Sequence, residues 1–255
     1  MRSETRAPDV HVRAERAKPY GLEPSSVEAR LPRPYALSTE GSAPCLRLGV
    51  LGGTFDPPHY GHLTLAENGR VQLDLDRVLF VPAGQPPHKP NRPITPAHHR
   101  VAMVEAAIAD NPAFVLSRVD LDRAGPHYTV ETLTLLRQEY PVVELFFLMG
   151  GDCLSKFLTW RDPAGIVRQA HLAVMQRHGR EPDRSAERSR RSLAALERAV
   201  PGIRERLVWL NVPHLDVSSS GLRQRVRHGL PLRYLVPPPV EAYVREQRLY
   251  EALPE

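Results

Sequence analysis

His59 and His62 stand three residues apart in "GVLGGTFDPPHYGH", Gly49 to His62, just after an apolar run that ends in Gly52-Gly53-Thr54. Glycines at the end of a strand leave backbone N–H groups open to a ligand that comes close. If a helix starts at Tyr60 or Gly61, its first amides and the positive end of its dipole face the same space. On a helical first turn the two imidazoles lie side by side. Imidazole donates a hydrogen bond when neutral and carries charge when protonated, and both forms suit a phosphate. "VSSSGLRQRVRHG" offers the same chemistry a second time, with Ser218, Ser219 and Ser220 at the entry to an Arg-rich helix. Hydroxyls and free amides there can hold phosphate, and Arg223 in the first turn can fork onto two oxygens. Two such cradles on one polyphosphate permit group transfer by positioning and charge neutralisation, with no protein nucleophile.

The elements that must carry these residues are readable as an alternation. "CLRLGVLGG", "RVLFVPAG", "AFVLSRVDL", "VVELFFLMGGD" and "AHLAVMQ" are short apolar runs, and "RLVWLN" begins another. Between them lie amphipathic stretches, among them "YGHLTLAENGRVQL", "TPAHHRVAMVEAAIAD" and "YTVETLTLLRQEY", the last ended by Pro141. In the second of these, Thr95 is the expected N-cap with Pro96 at the first helical position, and Ala97, Val101, Val104 and Ile108 form the expected buried face. The pattern predicts βαβ units around a parallel sheet, an α/β fold. "PPPVEAYVREQRLY" is a closing helix. No repeat is evident.

Residues 1–44 are rich in Pro, Arg, Glu and Ser without sustained apolar periodicity and read as a disordered or loosely docked extension to a domain spanning 45–255. Within that domain, 176–206 is an Arg-rich, insertion-like surface segment. The formal charge of +5 over 255 residues suits anionic partners, although much of the excess is that arginine cluster. It holds no aromatic residue, which argues against a nonenzymatic nucleic-acid-binding protein. The two cysteines, Cys45 and Cys153, fit neither a disulfide scaffold nor a metal spacing. No apolar run is long enough to span a bilayer, and the amino end lacks an apolar signal core. A cytoplasmic protein without nucleic-acid or membrane partners is expected, with a homo-oligomer left open.

"GGTFDPPHYGH" resembles the H-x-G-H signature of the nucleotidylyltransferase superfamily in its G-G-T-F-D-P-x-H-x-G-H form. "VSSSGLR" is similar to that family's carboxyl-terminal S-S-T-x-x-R motif, with Ser220 where threonine is usual. The resemblance narrows towards bacterial nicotinate-mononucleotide adenylyltransferases through three further stretches. "VPAGQPPHKP" resembles their P-x-x-P-P-H-K loop, "GPHYTVETL" their S-Y-T-x-x-T-L segment with His127 in place of serine, and "GGDCLSKFLTW" their G-A-D-S-L…W block, with Gly151 and Cys153 replacing Ala and Ser.

That resemblance implies a Rossmann-like, three-layer, doubly wound parallel sheet. It implies transfer of the adenylyl group of ATP to nicotinate mononucleotide, with the acceptor phosphate attacking the α-phosphorus in line and pyrophosphate leaving. By the same resemblance His59, His62 and Arg223 are catalytic. ATP is held by Gly52, Gly53, Thr54, Phe55, His62, Gly150, Asp152, Ser218, Ser219, Ser220 and Arg223. The acceptor meets Asp56, His88, Lys89, Thr129, Trp160 and Arg161, with Trp160 stacking on the pyridine. Mg²⁺ is bound mainly through ATP phosphates, and no residue is a metal ligand. Nicotinamide mononucleotide remains a rival acceptor, and phosphopantetheine a more distant one. A tRNA synthetase is disfavoured, because 255 residues leave no room for its tRNA modules and no K-M-S-K-S run occurs.

Overall fold

A computed structural model describes residues 46–85, 94–176 and 193–251. The expectations for the 1–44 extension, for 177–192 of the Arg-rich segment, and for His88 and Lys89 lie outside the described residues. Cys45–Glu255 is one compact unit.

Six parallel strands form one sheet: β1 (Leu46–Gly53), β2 (Arg77–Pro82), β3 (Phe114–Leu116), β4 (Val143–Gly150), β5 (His171–Gln176) and β6 (Leu207–Asn211). Their order is β3-β2-β1-β4-β5-β6. The strand order reverses between β1 and β4, and in such sheets the crevice outside those strand ends is where ligands bind. Their register pairs Val50 with Phe147. Carried on at the same offset, it sets Gly53 level with Gly150, so the two glycine-ended strands stop side by side.

Strands buried on both faces read as nearly continuous apolar runs because successive side chains enter opposite layers. Leu51, Phe80, Phe146 and Leu148 enter one layer, beneath α1 (Tyr60–Gln72), α2 (Ala97–Ile108), α7 (Ser219–Arg227) and α8 (Pro238–Glu246). Val50, Leu79, Leu145, Phe147 and Met149 enter the other, beneath α3 (Thr129–Glu139) and α5 (Pro163–Gln169). Short helices α4 (Gly151–Ser155) and α6 (Ile203–Arg206) and a 3₁₀ turn, Phe157–Thr159, complete the described elements together with helical residues 193–199. This is the three-layer, doubly wound α/β fold expected.

Three local expectations change. The third strand is only three residues long, since "AFVLSRVDL" leaves the sheet after Leu116. Helix α2 starts one residue later than expected, with Pro96 at the N-cap; the Thr95 N–H is drawn instead to Asp56 Oδ2 at 3.4 Å. Its buried face is Arg100, Met103, Val104, Ala107 and Ile108 rather than the face through Ala97 and Val101. The rotation has a polar cause. Arg100, only 1% exposed, donates from Nε to Thr95 O and from Nη1 to Thr54 O and Ala83 O. At the sheet's outer edge the Gln72 carboxamide donates to Asn211 O at 2.8 Å and accepts the Asn211 N–H at 3.0 Å.

Candidate active site

The first junction is built as the glycines and histidines required. β1 ends at Gly53, the chain turns through Thr54–Pro58, and α1 starts at Tyr60 with His59 as its N-cap. Phe55 adopts a left-handed conformation, φ 50°, and turns its ring into the core, where it is 1% exposed. Only its backbone can therefore meet a nucleotide. The ring supports the site from below: it would lie 3.1 Å from a Cβ on Gly53 and meets His62 edge-on at 5.0 Å.

His59 and His62 do lie together, stacked with ring centroids 3.8 Å apart. Gly61 makes room for them, because a Cβ there would come within 3.0 Å of His59 Nδ1. The His59 N–H donates to His62 Nδ1 at 3.2 Å. An Nδ1 that accepts leaves the proton on Nε2 in the neutral ring, so His62 has a donor at its outer end. Burial holds both rings neutral: His59 is lowered to about 4, and His62 falls well below the ordinary value through burial and the neighbouring His59. His59 Nδ1 is buried with no hydrogen-bond partner among the described residues. Such an orphan costs about 1–3 kcal/mol, a cost that clusters at functional sites.

The second cradle docks directly on the first. Ser218 caps α7, its Oγ accepting the Gly221 N–H at 3.2 Å, and lies 3.4 Å from Ser220 Oγ. Ser219 Oγ donates to Pro57 O at 2.8 Å. Arg223 Nη1 donates to Asp56 O at 2.7 Å. A Gly-lined and a Ser-lined helix entry, some 160 residues apart in sequence, thus share one wall.

Asp56, expected to touch the acceptor, is 3% exposed, and its carboxylate is engaged within the protein. Oδ1 accepts the Tyr250 hydroxyl at 2.7 Å, Oδ2 accepts the Thr95 N–H, and Arg223 Nη1 lies 3.8 Å from Oδ2. Burial and this carboxylate push the Tyr250 phenol up, keeping it a neutral donor. Sequence reasoning missed Arg100 and Tyr250 altogether.

Beside this wall, Gly150 ends β4 and Asp152 stands exposed in the first turn of α4. Among the described residues nothing lies within 4 Å of where a Cβ on Gly150 would sit, so the strand end is not covered by them. A second group gathers around the start of α3. Thr129 is its first residue, with Tyr128 at the N-cap. Glu131 and Thr132 donate to Tyr128 O, and among the described residues nothing accepts from the earlier amides of Thr129 and Val130. The Arg161 guanidinium lies over the Tyr128 ring at 4.8 Å. Trp160 is half-buried, packed edge-on against Phe147 at 5.8 Å and tilted against Phe157 at 5.7 Å.

His127 ties this group to the exit of β2. Its N–H donates to Gln85 O, its Nδ1 accepts the Gln85 N–H at 2.8 Å, and its Nε2 meets Arg123 O at 3.1 Å. Asp120 below it accepts from Thr132 Oγ1 and Arg123.

The cytidylyltransferase-like family profile matches residues 50–225. A relative from Thermomicrobium roseum, named "Probable nicotinate-nucleotide adenylyltransferase", is 47% identical over 207 residues, covering 81% of this chain and 92% of the relative. One of the same name from Moorella thermoacetica is 43% identical and covers 80% and 91%. The chain belongs to the nicotinate-nucleotide adenylyltransferase family. The fold of this chain is similar to that of a Plasmodium falciparum nicotinic acid mononucleotide adenylyltransferase complexed with NaAD. The match has a TM-score of 0.63 at 18% identity and covers 80% of this chain and 97% of that one.

Proposed function

We propose that this chain transfers the adenylyl group of ATP to nicotinate mononucleotide, forming deamido-NAD and pyrophosphate. The observation that carries the reading is the shared wall: Ser219 and Arg223 of α7 reach the backbone of Pro57 and Asp56, next to the histidine pair. A triphosphate seated there meets amides of the Gly52–Thr54 turn on one side and Ser218–Ser220 with Arg223 on the other. An oxygen of the acceptor phosphate attacks the α-phosphorus, the bond to the β-phosphate oxygen breaks, and pyrophosphate departs in line. His62 donates from Nε2 to the α-phosphate, and the Arg223 edges not spent on Asp56 neutralise charge on the leaving group. His59 holds His62 in that tautomer and gives the ring a flat backing. Asp56 positions; it does not bind substrate.

Mg²⁺ suits this site as a companion of ATP, screening phosphate charge. Bound there, it would be held mainly through the ATP phosphates and would supply charge neutralisation to the departing pyrophosphate. The pyridine stacks on Trp160, and its carboxylate takes the free amides at the start of α3. Asp152 faces the ribose of ATP. Lys89 meets the acceptor phosphate, and His88 contributes to the acceptor's binding.

The test follows pyrophosphate release by purified protein with ATP and Mg²⁺. Release is expected with nicotinate mononucleotide. Equal or faster release with nicotinamide mononucleotide would reassign the acceptor, and release only with phosphopantetheine would overturn the pyridine reading.

A further inference from the structure

A buried carboxylate is an awkward neighbour for a polyphosphate, because it repels the ligand and is costly to desolvate. Asp56 is such a group, and its partners explain what it does there. The backbone of Asp56 already accepts from Arg223 Nη1 at 2.7 Å, yet the same nitrogen stays 3.8 Å from Oδ2. Charge-assisted contacts of this kind close to about 2.7–2.9 Å when nothing competes. Here Tyr250 satisfies the carboxylate from its other oxygen, the hydroxyl donating to Oδ1 at 2.7 Å, while the Thr95 N–H at 3.4 Å serves the Oδ2 that faces Arg223. Tyr250 reaches Asp56 across 194 residues of sequence, from the turn that follows α8. That turn carries two unusual backbone conformations: Arg248 at φ 49° and Tyr250 at φ 68° both occupy the left-handed region. For an aromatic residue this conformation is an outlier that persists only when its surroundings demand it.

We infer that Tyr250 is a positioning residue for adenylyl transfer: its hydroxyl satisfies Asp56 so that Arg223 faces the leaving phosphates instead of collapsing onto the carboxylate. The inference rests on the assignment of Arg223 to the triphosphate. Without the hydroxyl, Asp56 is short of a donor and draws the guanidinium in.

The experiment measures kcat and KM for both substrates in the wild type, Tyr250→Phe, Arg223→Lys and the double variant. Tyr250→Phe is expected to lower kcat about tenfold, the loss of one hydrogen bond to a charged group, with both KM values nearly unchanged. In the Arg223→Lys background the same change is expected to have little further effect. Asp56→Asn supplies a second route, because with the charge gone Tyr250→Phe again has nothing to release. Circular dichroism and the thermal midpoint check that each variant is folded at the assay temperature. An equal fall in kcat in both backgrounds, which a purely structural role produces, would overturn the inference, as would an unchanged kcat in Tyr250→Phe. Wild-type turnover is the control that separates the two claims. An inactive wild type sinks the adenylyl-transfer reading and this inference with it, whereas an active wild type matched by Tyr250→Phe sinks this inference alone.

Discussion

His62 has one ring nitrogen committed to the His59 amide and the other left as a donor, which fixes its chemistry at the level of a single proton. His62→Ala is expected to lower kcat by about 10²–10³, the usual cost of one donor to a developing phosphate charge, while circular dichroism stays as in the wild type. The pair also sets how the fold responds to acid. In the unfolded chain the His59 imidazole takes its proton near 6.5, in the folded chain only near 4. Between those values the unfolded state binds more protons, so stability is full above about pH 6.5 and falls as pH drops towards 4. The loss from His59 is on the order of 3 kcal/mol, and His62 adds to it in the same direction. Urea midpoints at pH 7.5 and pH 5 read the larger part of it, about 2 kcal/mol from His59; a midpoint that rises on acidification contradicts the assignment. The histidine pair was legible because both members sit three apart on one turn. Asp56 was not, since its fate depends on Tyr250 and nothing near it in sequence announces that partner.

At the scale of elements, the exits of β1 and β2 are locked to each other before any ligand arrives. The Ala83 N–H donates to Gly53 O at 2.8 Å, and Arg100 bridges Thr54 and Ala83. Gly84 then passes His127 so closely that a Cβ would stand 2.6 Å from its ring and 2.9 Å from Asp120 O. Backbone cannot yield there. Gly84→Ala is expected to destabilise by about 1–3 kcal/mol, read as a lower urea midpoint. Its KM for the acceptor is expected to rise more than its KM for ATP, because the chain leads through Gln85 to His88 and Lys89. Helix α2 shows where periodicity stops informing. Apolar spacing placed Val101 inward and ignored Arg100, but three backbone carbonyls from separate turns converge on that guanidinium. Convergence of this kind is a property of the assembled fold and leaves no mark on a helix's own residues.

For the molecule as a whole, both proposed anion cradles must be brought to the reversal point between β1 and β4, one from near the start of the domain and one from near its end. Alternating apolar and amphipathic stretches made the parallel sheet legible, and the doubly wound strand order followed from the family resemblance. That the two helix entries would share hydrogen bonds was not readable from either motif alone. On the proposed seating of the triphosphate, a nonhydrolysable ATP analogue would bridge them and is therefore expected to act as a global stabiliser. At about one hundred times its Kd it contributes roughly 2.7 kcal/mol, which for a domain of this size raises Tm by roughly 5–10 °C. Differential scanning fluorimetry with Arg223→Ala at the same analogue concentration is expected to show a clearly smaller rise; an undiminished one would detach Arg223 from the nucleotide.

The carboxamide of Gln72, paired with both main-chain groups of Asn211, has a consequence beyond the reaction. Outermost strands tempt other polypeptides to extend the ladder, and this one finds its last rung already taken by a helix's own amide. The protein plugs that seam with an uncharged side chain where a lysine or proline would more commonly stand guard.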